Sequence, residues 1–370
     1  MNNELHIVIS GGGTGGHIFP AVSIANALKE AEPSAKILFV GAEGRMEMTR
    51  VPQAGYEIVG LPICGFNRQQ LWRNITLPWK MWKSDRMVRR VLKEFQPDAA
   101  VGVGGYASYP TLAAAASMGI PCLIQEQNSF AGKANKMLGP RVERICVAYE
   151  GMERFFPKEK IMLTGNPVRQ QLLSVTTSQA EAREAMGLER DRRTVLLVGG
   201  SLGARTINES VMQHLDQIAA SPLQFVWQTG KYYSAQIAEE LKQRGCPTNL
   251  HPTDFIVDMG VAYKAADLVV SRAGASSISE FCLIGKPVIL VPSPNVAEDH
   301  QTKNAQALAT RNAALMVTDA DAPQQLIDLA IATATDDSKL QELSTNVLKM
   351  ALPDSAAIIA REVIKIARKQ

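Results

Sequence analysis

Short apolar runs alternate with longer amphipathic stretches along the whole of this 370-residue chain. A half-exposed strand would alternate polar and apolar residues, but these runs are apolar on both faces. They predict strands at Leu5–Ser10, Ile37–Val40, Glu57–Leu61, Ala99–Val103, Cys122–Gln125 and Ile145–Val147. Between them, wider spacing predicts helices at His17–Ala31, Met81–Glu94, Tyr109–Met118 and Phe130–Leu138. The second half repeats the plan, with strands at Val195–Val198, Gln224–Gln228, Asp254–Val257, Leu268–Val270, Val288–Val291 and Ala314–Val317. Alternation of this kind belongs to parallel sheets covered by helices on both faces. The expected class is α/β, with two Rossmann-like, doubly wound parallel-sheet domains facing across a cleft.

The pattern breaks near Met162–Arg169, at Gly165-Asn-Pro167. A first domain over 1–163 and a second over 164–353 follow, as expected of a chain too long for one ordinary core. Segment Ser174–Arg193 is polar, and Ala180–Met186 leads as a helix into the second domain. A last helix, Ser355–Arg368, follows Pro353, and the tail 354–370 is expected to pack back on the first domain.

Composition is that of a soluble globular protein, 46% hydrophobic and 20% charged. The net charge of +3 is unevenly placed: residues 1–160 carry 19 Lys and Arg against 14 Asp and Glu. Cys64, Cys122, Cys146, Cys246 and Cys282 form no metal-ligand spacing and read as reduced, mostly buried thiols. No basic segment precedes the first strand, so no signal peptide is expected. The longest mostly apolar stretch, Pro110–Ile124, falls short of the ~18 residues of a spanning helix.

Two glycine-rich turns each close a strand and open a helix: Gly11-Gly-Gly-Thr-Gly-Gly16-His17 and Gly199-Gly-Ser-Leu-Gly-Ala204-Arg205. Such turns bring backbone N–H groups and a positive helix end to an anion. The first fits G-x-G-x-x-G, but the second strand ends at Val40-Gly41-Ala42 without the acid a dinucleotide site needs, and Glu43 comes late. His17 stands where a phosphate loop would carry Lys, which disfavours ATP hydrolysis. At a positive helix end a neutral imidazole is favoured, so His17 is a candidate general base beside the bland reading of a structural histidine.

Gly199-Gly-Ser201-Leu-Gly203 also fits the nucleophile elbow of a hydrolase, with Asp267 and His300 following in triad order. A lipid esterase built on Ser201 therefore stands as an alternative. Asp319-Ala-Asp321 has the form of a metal–nucleotide clamp, yet Ala322-Pro323 and a helix follow, so an N-cap accounts for it better. No metal ligands and no cofactor are expected.

Segment Phe66–Phe95 holds Trp72, Trp79 and Trp82 among eight basic residues, including Lys80, Lys83 and Arg86, with two acidic ones. Aromatics among cations suit an anionic bilayer surface. A core helix with a solvated basic face is the plainer reading, and the small net charge argues against nucleic acid.

Gly12-Gly-Thr-Gly-Gly-His17, Gly104-Gly-Tyr106, Glu126-Gln-Asn128, Gly165-Asn-Pro-Val-Arg169, Gly199-Gly-Ser201 with Gly203-Ala-Arg205, and Gln301-x-x-Asn304-Ala together resemble the MurG family. These are bacterial glycosyltransferases of the GT-B fold. The resemblance implies transfer of GlcNAc from UDP-GlcNAc to the 4-OH of MurNAc on undecaprenyl-pyrophosphoryl-MurNAc-pentapeptide (lipid I), with inversion, giving lipid II. It implies donor contacts from Thr14, Gly15, Gly16 and Asn128, and from Arg169, Ser201, Ile256, Ala275, Ser276, Glu280 and Gln301. His17 is the implied base, and Gly13, Gly104, Gly105 and Tyr106 are candidates for the acceptor and its pyrophosphate. It further implies a peripheral enzyme on the cytoplasmic face of the inner membrane, working beside cell-wall or division proteins. Another lipid glycosyltransferase of this fold stays open. Ala275-Ser-Ser-Ile-Ser279 departs from the Leu-Thr often found there, and Asp299-His300-Gln301 from longer spacings.

Overall fold

The structure, a computed structural model, describes residues 4–63, 77–168, 172 and 175–369, with backbone alone at 77, 78, 80 and 297. It divides into two units, Met1–Val168 with Leu352–Gln370, and Arg169–Ala351.

The first unit is built on β1 (His6–Ser10), β2 (Lys36–Ala42), β3 (Glu57–Leu61), β4 (Ala99–Gly102), β5 (Cys122–Glu126), β6 (Arg144–Val147) and β7 (Ile161–Leu163). All pairs are parallel, in the order β3-β2-β1-β4-β5-β6-β7. This is the doubly wound arrangement, whose strand order reverses between β1 and β4. Because side chains alternate along a strand, Ile7 and Ile9 enter one core and Val8 the other. The Ile7 face is covered by helices Gly15–Ala31 and Ser355–Ala367, the latter burying Ala356, Ile359, Ala360 and Val363 at helical spacing. Arg144 also reaches Glu362 at 2.8 Å. Helices Leu77–Phe95 and Ser108–Ser117 cover the other face.

The second unit repeats the plan with β8 (Thr194–Val198), β9 (Gln224–Gln228), β10 (Leu250–Thr253), β11 (Leu268–Ser271), β12 (Val288–Leu290) and β13 (Leu315–Met316). Their order is β10-β9-β8-β11-β12-β13, again all parallel. Val195, Leu197, Phe225, Trp227 and Val270 meet Ile207 and Val211 of helix Arg205–Gln213, and Leu326, Ile327 and Ala330 of helix Ala322–Thr335. The fully buried Trp227 ring donates its N–H to Asn208 Oδ1 at 2.9 Å.

Two expectations need correction. The edge strand β10 is Leu250–Thr253, not Asp254–Val257; the later run leaves the sheet, with Val257 90% exposed. The helix expected from Phe130 starts at Lys133, and helix Glu47–Gln53 and strand β7 are additional elements.

Candidate functional site

In the first unit, β1 runs into a turn that needs glycine. Gly13 has φ of +87°, and a Cβ on Gly11 would meet Val103 at 2.6 Å. Thr14 has extended backbone angles at the N-cap, so the N–H groups of Gly15 and Gly16 lie in the first helical turn, where no carbonyl precedes them within the helix. A second glycine turn follows β4. Gly104 and Gly105 have φ of +89° and +92°, and a Cβ on Gly105 would lie 2.3 Å from Gly12 O. Gly12 N–H donates to Gly104 O at 3.2 Å, so the two turns are bonded together.

Half-buried His17 lies in that junction. Its Nδ1 is 3.1 Å from Gly12 O and 3.3 Å from Thr14 Oγ1. A Cβ on Gly104 would come within 2.8 Å of the imidazole. Exposed Tyr106 stands near Gly13, with the Arg45 guanidinium 5.8 Å from its ring centre. After β5, buried Glu126 accepts the N–H and side-chain amide of Asn128 at 3.1 and 3.2 Å, and Asn135 at 2.9 Å. Gln127 donates to Val103 O at 2.8 Å, tying this loop to the end of β4. The first-unit candidates thus gather on the loops at the carboxyl ends of β1, β4 and β5, the edge where such sheets bind ligands.

In the second unit, β8 ends in the Gly199–Gly203 turn, with Gly200 and Gly203 at positive φ and Ser201 exposed. Gln228, closing β9, donates to Gly200 O at 2.9 Å and accepts the Ile256 N–H at 3.0 Å. One side chain therefore joins the turn to the loop carrying Ile256. After β11, helix Ala275–Ile284 starts at Gly274 with no side-chain cap. Ser276 Oγ, in its first turn, is buried without a hydrogen-bond partner. Glu280 is buried one turn on and accepts the Tyr263 hydroxyl at 3.3 Å. Gln301 accepts the Ser293 N–H at 2.9 Å, and Asn304 donates to Ala273 O at 3.4 Å. Ser201, Ile256, Ala275, Ser276, Glu280 and Gln301 thus sit on loops and helix starts following the strands of this sheet. Arg169 and Trp72 lie outside the described residues, as does the Lys80 side chain.

The model of the glycosyltransferase family 28 N-terminal domain matches residues 7–147, and that of the family 28 C-terminal domain matches 194–359. A protein of Bacteroides thetaiotaomicron is 59% identical over the full length of both chains. One of Phocaeicola vulgatus is 61% identical over 100% of this chain and 98% of its own. Both are named UDP-N-acetylglucosamine–N-acetylmuramyl-(pentapeptide) pyrophosphoryl-undecaprenol N-acetylglucosamine transferase. The crystal structure of Acinetobacter baumannii MurG superposes with a TM-score of 0.78 at 28% identity, covering 98% of this chain and 99% of its own. The chain belongs to the MurG family of glycosyltransferases.

Membership leaves the esterase alternative without a triad. Asp267 precedes β11, and it accepts the N–H of Thr194, the first residue of β8, at 2.7 Å. Ser201 follows the far end of that five-residue strand, roughly 16 Å away at the usual strand rise. Asp267 instead pairs with Arg183 at 2.8 Å and anchors the opposite edge of the sheet.

Asp321 holds the expected N-cap position of helix Ala322–Thr335, with Pro323 in the first turn. Asp319 accepts Arg272 at 2.5 Å and Thr206 at 2.9 Å, while Asp321 makes no side-chain cap bond and accepts Thr318 Oγ1 at 2.5 Å. Among the described residues no cluster of three or more His, Cys, Asp or Glu is placed to hold a metal ion. Sequence reasoning missed Gln228, which joins two loops of the second unit, and Arg272, the partner of Asp319. For Gln228 a signal existed, a polar residue closing the otherwise apolar end of a fully buried strand.

Helix Leu77–Phe95 has two faces. Ser84, Val88 and Leu92 are buried, whereas Trp79, Met81 and Trp82 are exposed. Lys83 lies 5.3 Å from the Trp79 ring centre and Arg86 5.0 Å from that of Trp82. No helix among the described residues is long and apolar enough to cross a membrane.

Proposed function

We propose that this chain transfers GlcNAc from UDP-GlcNAc to the 4-hydroxyl of MurNAc in undecaprenyl-pyrophosphoryl-MurNAc-pentapeptide, with inversion. The observation that carries the reading is identity of about 60% across whole chains to proteins whose names give the N-acetylglucosamine donor and the pyrophosphoryl-undecaprenol acceptor. In the proposed reaction His17 Nε2 accepts the proton of the attacking hydroxyl as its oxygen bonds to the anomeric carbon. The bond from that carbon to the β-phosphate oxygen breaks, and UDP leaves with the added charge. The Gly199–Gly203 turn and Arg169 stabilise that charge with N–H donors, so no metal ion is required. Glu280 accepts the two ribose hydroxyls, and Ser276 and Gln301 hold the remainder of the donor. Thr14, Gly15, Gly16 and Asn128 complete the donor contacts, and Gly13, Gly104, Gly105 and Tyr106 receive the acceptor.

We place the enzyme as a peripheral protein on the cytoplasmic face of the membrane, held by Trp79, Trp82, Lys83 and Arg86 together with Trp72 and Lys80. Exposed tryptophans stacked with cations support this, since such pairs bury rings at the headgroup level while charges meet anionic lipid. Radiolabelled UDP-GlcNAc incubated with lipid I, with and without EDTA, tests the reaction. Label should enter the lipid and UDP release should need lipid I, both persisting in EDTA. Absence of lipid-dependent release would overturn the reading, and loss restored by Mg²⁺ or Mn²⁺ would overturn its metal-free form.

A further inference from the structure

Helix Glu47–Gln53 begins directly behind the first glycine turn, and its first residue is a carboxylate only 1% exposed. One oxygen accepts the N–H of Ala42, closing β2, at 3.1 Å; the other accepts the N–H of Gly13 at 2.8 Å. A carboxylate this buried is tolerated only when its oxygens are bonded, so the two N–H groups fix its place. The glycines around it fit it closely. A Cβ on Gly12 would lie 2.2 Å from Glu47 Oε1, and one on Gly41 2.6 Å from its Cγ.

The Gly13 N–H and the Gly12 carbonyl are two ends of one peptide unit, and that carbonyl lies 3.1 Å from His17 Nδ1. A carbonyl oxygen can only accept, so Nδ1 carries the proton and the lone pair of the neutral ring is on Nε2. Thr14 Oγ1, at 3.3 Å, is a second and longer partner for the same nitrogen. A peptide unit is planar, so holding its N–H sets the direction of its carbonyl. Negative charge at the N–H end also polarises the amide and strengthens the bond its oxygen accepts.

We infer that Glu47 is a positioning residue for His17, acting through the Gly12–Gly13 peptide. Carboxylate, amide and imidazole form a series in which a peptide plane stands where a catalytic triad places its acid directly against the ring. Glu47 gives up and receives no proton; it holds the amide that selects the tautomer. Without it the amide can turn its N–H elsewhere, and His17 loses the acceptor that keeps Nε2 basic. The inference rests on the proposed role of His17 as the base of the transfer.

The test uses the full-length protein labelled with ¹⁵N-histidine, the His17 signals being assigned by their loss in His17→Ala. In the resting native protein Nδ1 should carry the proton and Nε2 should not. Glu47→Gln keeps the volume but sets an amide against a backbone N–H. It should populate the other tautomer and lower kcat by about 10- to 100-fold, with the KM for UDP-GlcNAc within about twofold. Combined with His17→Ala, it should add almost no further loss. A native His17 protonated on Nε2 would overturn the inference, whatever the folding of the variant. So would equal rate losses from Glu47→Gln with His17 present and absent. A native protein that transfers nothing from UDP-GlcNAc would instead defeat the functional reading, while the tautomer measurement still decides the role of Glu47.

Discussion

Glu280 is a carboxylate only 4% exposed, in the second turn of its helix, accepting the Tyr263 hydroxyl. In the proposed role, a buried acceptor of this kind would give two ribose hydroxyls charge-assisted bonds that water would otherwise weaken. Glu280→Ala is therefore expected to weaken UDP-GlcNAc binding by ~1.5–3 kcal/mol, and calorimetry showing unchanged affinity would refute the assignment. His17→Ala should act on the other quantity. Turnover should fall by ~10²–10⁴ while donor affinity stays within a few fold, since a base works at the transition state. Loss of donor binding with an intact maximal rate would make His17 a binding residue instead. Lys286 has no part in this chemistry, yet burial pulls its pKa from 10.5 down to about 8, against the opposing pull of Asp267. Below pH 8 both folded and unfolded chains carry the proton, and the buried charge costs stability in full. Between pH 8 and 10.5 the folded lysine releases it, and the cost fades. Lys286→Met should raise stability at pH 7 by about 1–2 kcal/mol, after loss of the bond to Ala266 O, with the gain shrinking toward pH 10. Urea melts at the two pH values measure this, and a gain that does not change with pH would refute it. A candidate's place was legible where its own motif sets it, as with His17 at the helix start beside the glycine turn. It was hidden where the role depends on a partner far along the chain. Glu47 meets Gly13 across 34 residues, and Gln228 meets Ile256 across 28.

At the scale of elements, the strands that lie inside the sheets were legible because burial on both faces leaves few polar positions, mostly at strand ends, to confuse the pattern. The edge was not. Leu250-His-Pro-Thr253 contains a proline, which an edge strand tolerates because one side of its ladder is unpaired. The more apolar Asp254–Val257 run lies in the loop instead, where Gln228 takes the Ile256 N–H. Helix Leu77–Phe95 shows how one element serves two demands. Ser84, Val88 and Leu92, at four-residue spacing, dock on the sheet, and exposed Trp79 and Trp82 lie away from that face. Placing Lys83→Glu with Arg86→Glu on the exposed face exchanges attraction to anionic lipid for repulsion. At ~1 kcal/mol per cation lost, binding to anionic vesicles should weaken by a few kcal/mol, with transfer to a water-soluble acceptor nearly unchanged. High salt should release the unaltered protein only in part, because screening leaves the tryptophan contacts in place. Vesicle sedimentation equal for variant and parent, on anionic and neutral lipid alike, would return this face to ordinary solvated surface.

For the whole molecule, the end of the chain belongs to the unit in which the chain begins. Helix Ser355–Ala367 lies on the Ile7 face of the first sheet, where Ile359 and Val363 are fully buried beside Ile7, Ile9 and Ile24. Full burial of such a side chain contributes ~1.5–3 kcal/mol, and Ile359, Val363 and Ile366 together approach the whole stability of an ordinary domain. The second unit closes its own core around Trp227 and Phe225 without drawing on this helix. Deleting residues 353–370 should therefore divide the two units by their response. Hydrogen exchange should show protection lost across β1, β4 and helix Gly15–Ala31, and kept across β8, β9 and β11. Because Ser201, Glu280 and Gln301 belong to the protected unit, weak UDP binding should survive in calorimetry. Transfer, for which His17 in the unit that opens is the proposed base, should disappear. Uniform loss of protection in both sheets would mean that the two cores melt together and that the tail helix supports the molecule as one cooperative body. Retained protection in β1 would mean that the first sheet is stable without its last helix, against the burial of those three side chains.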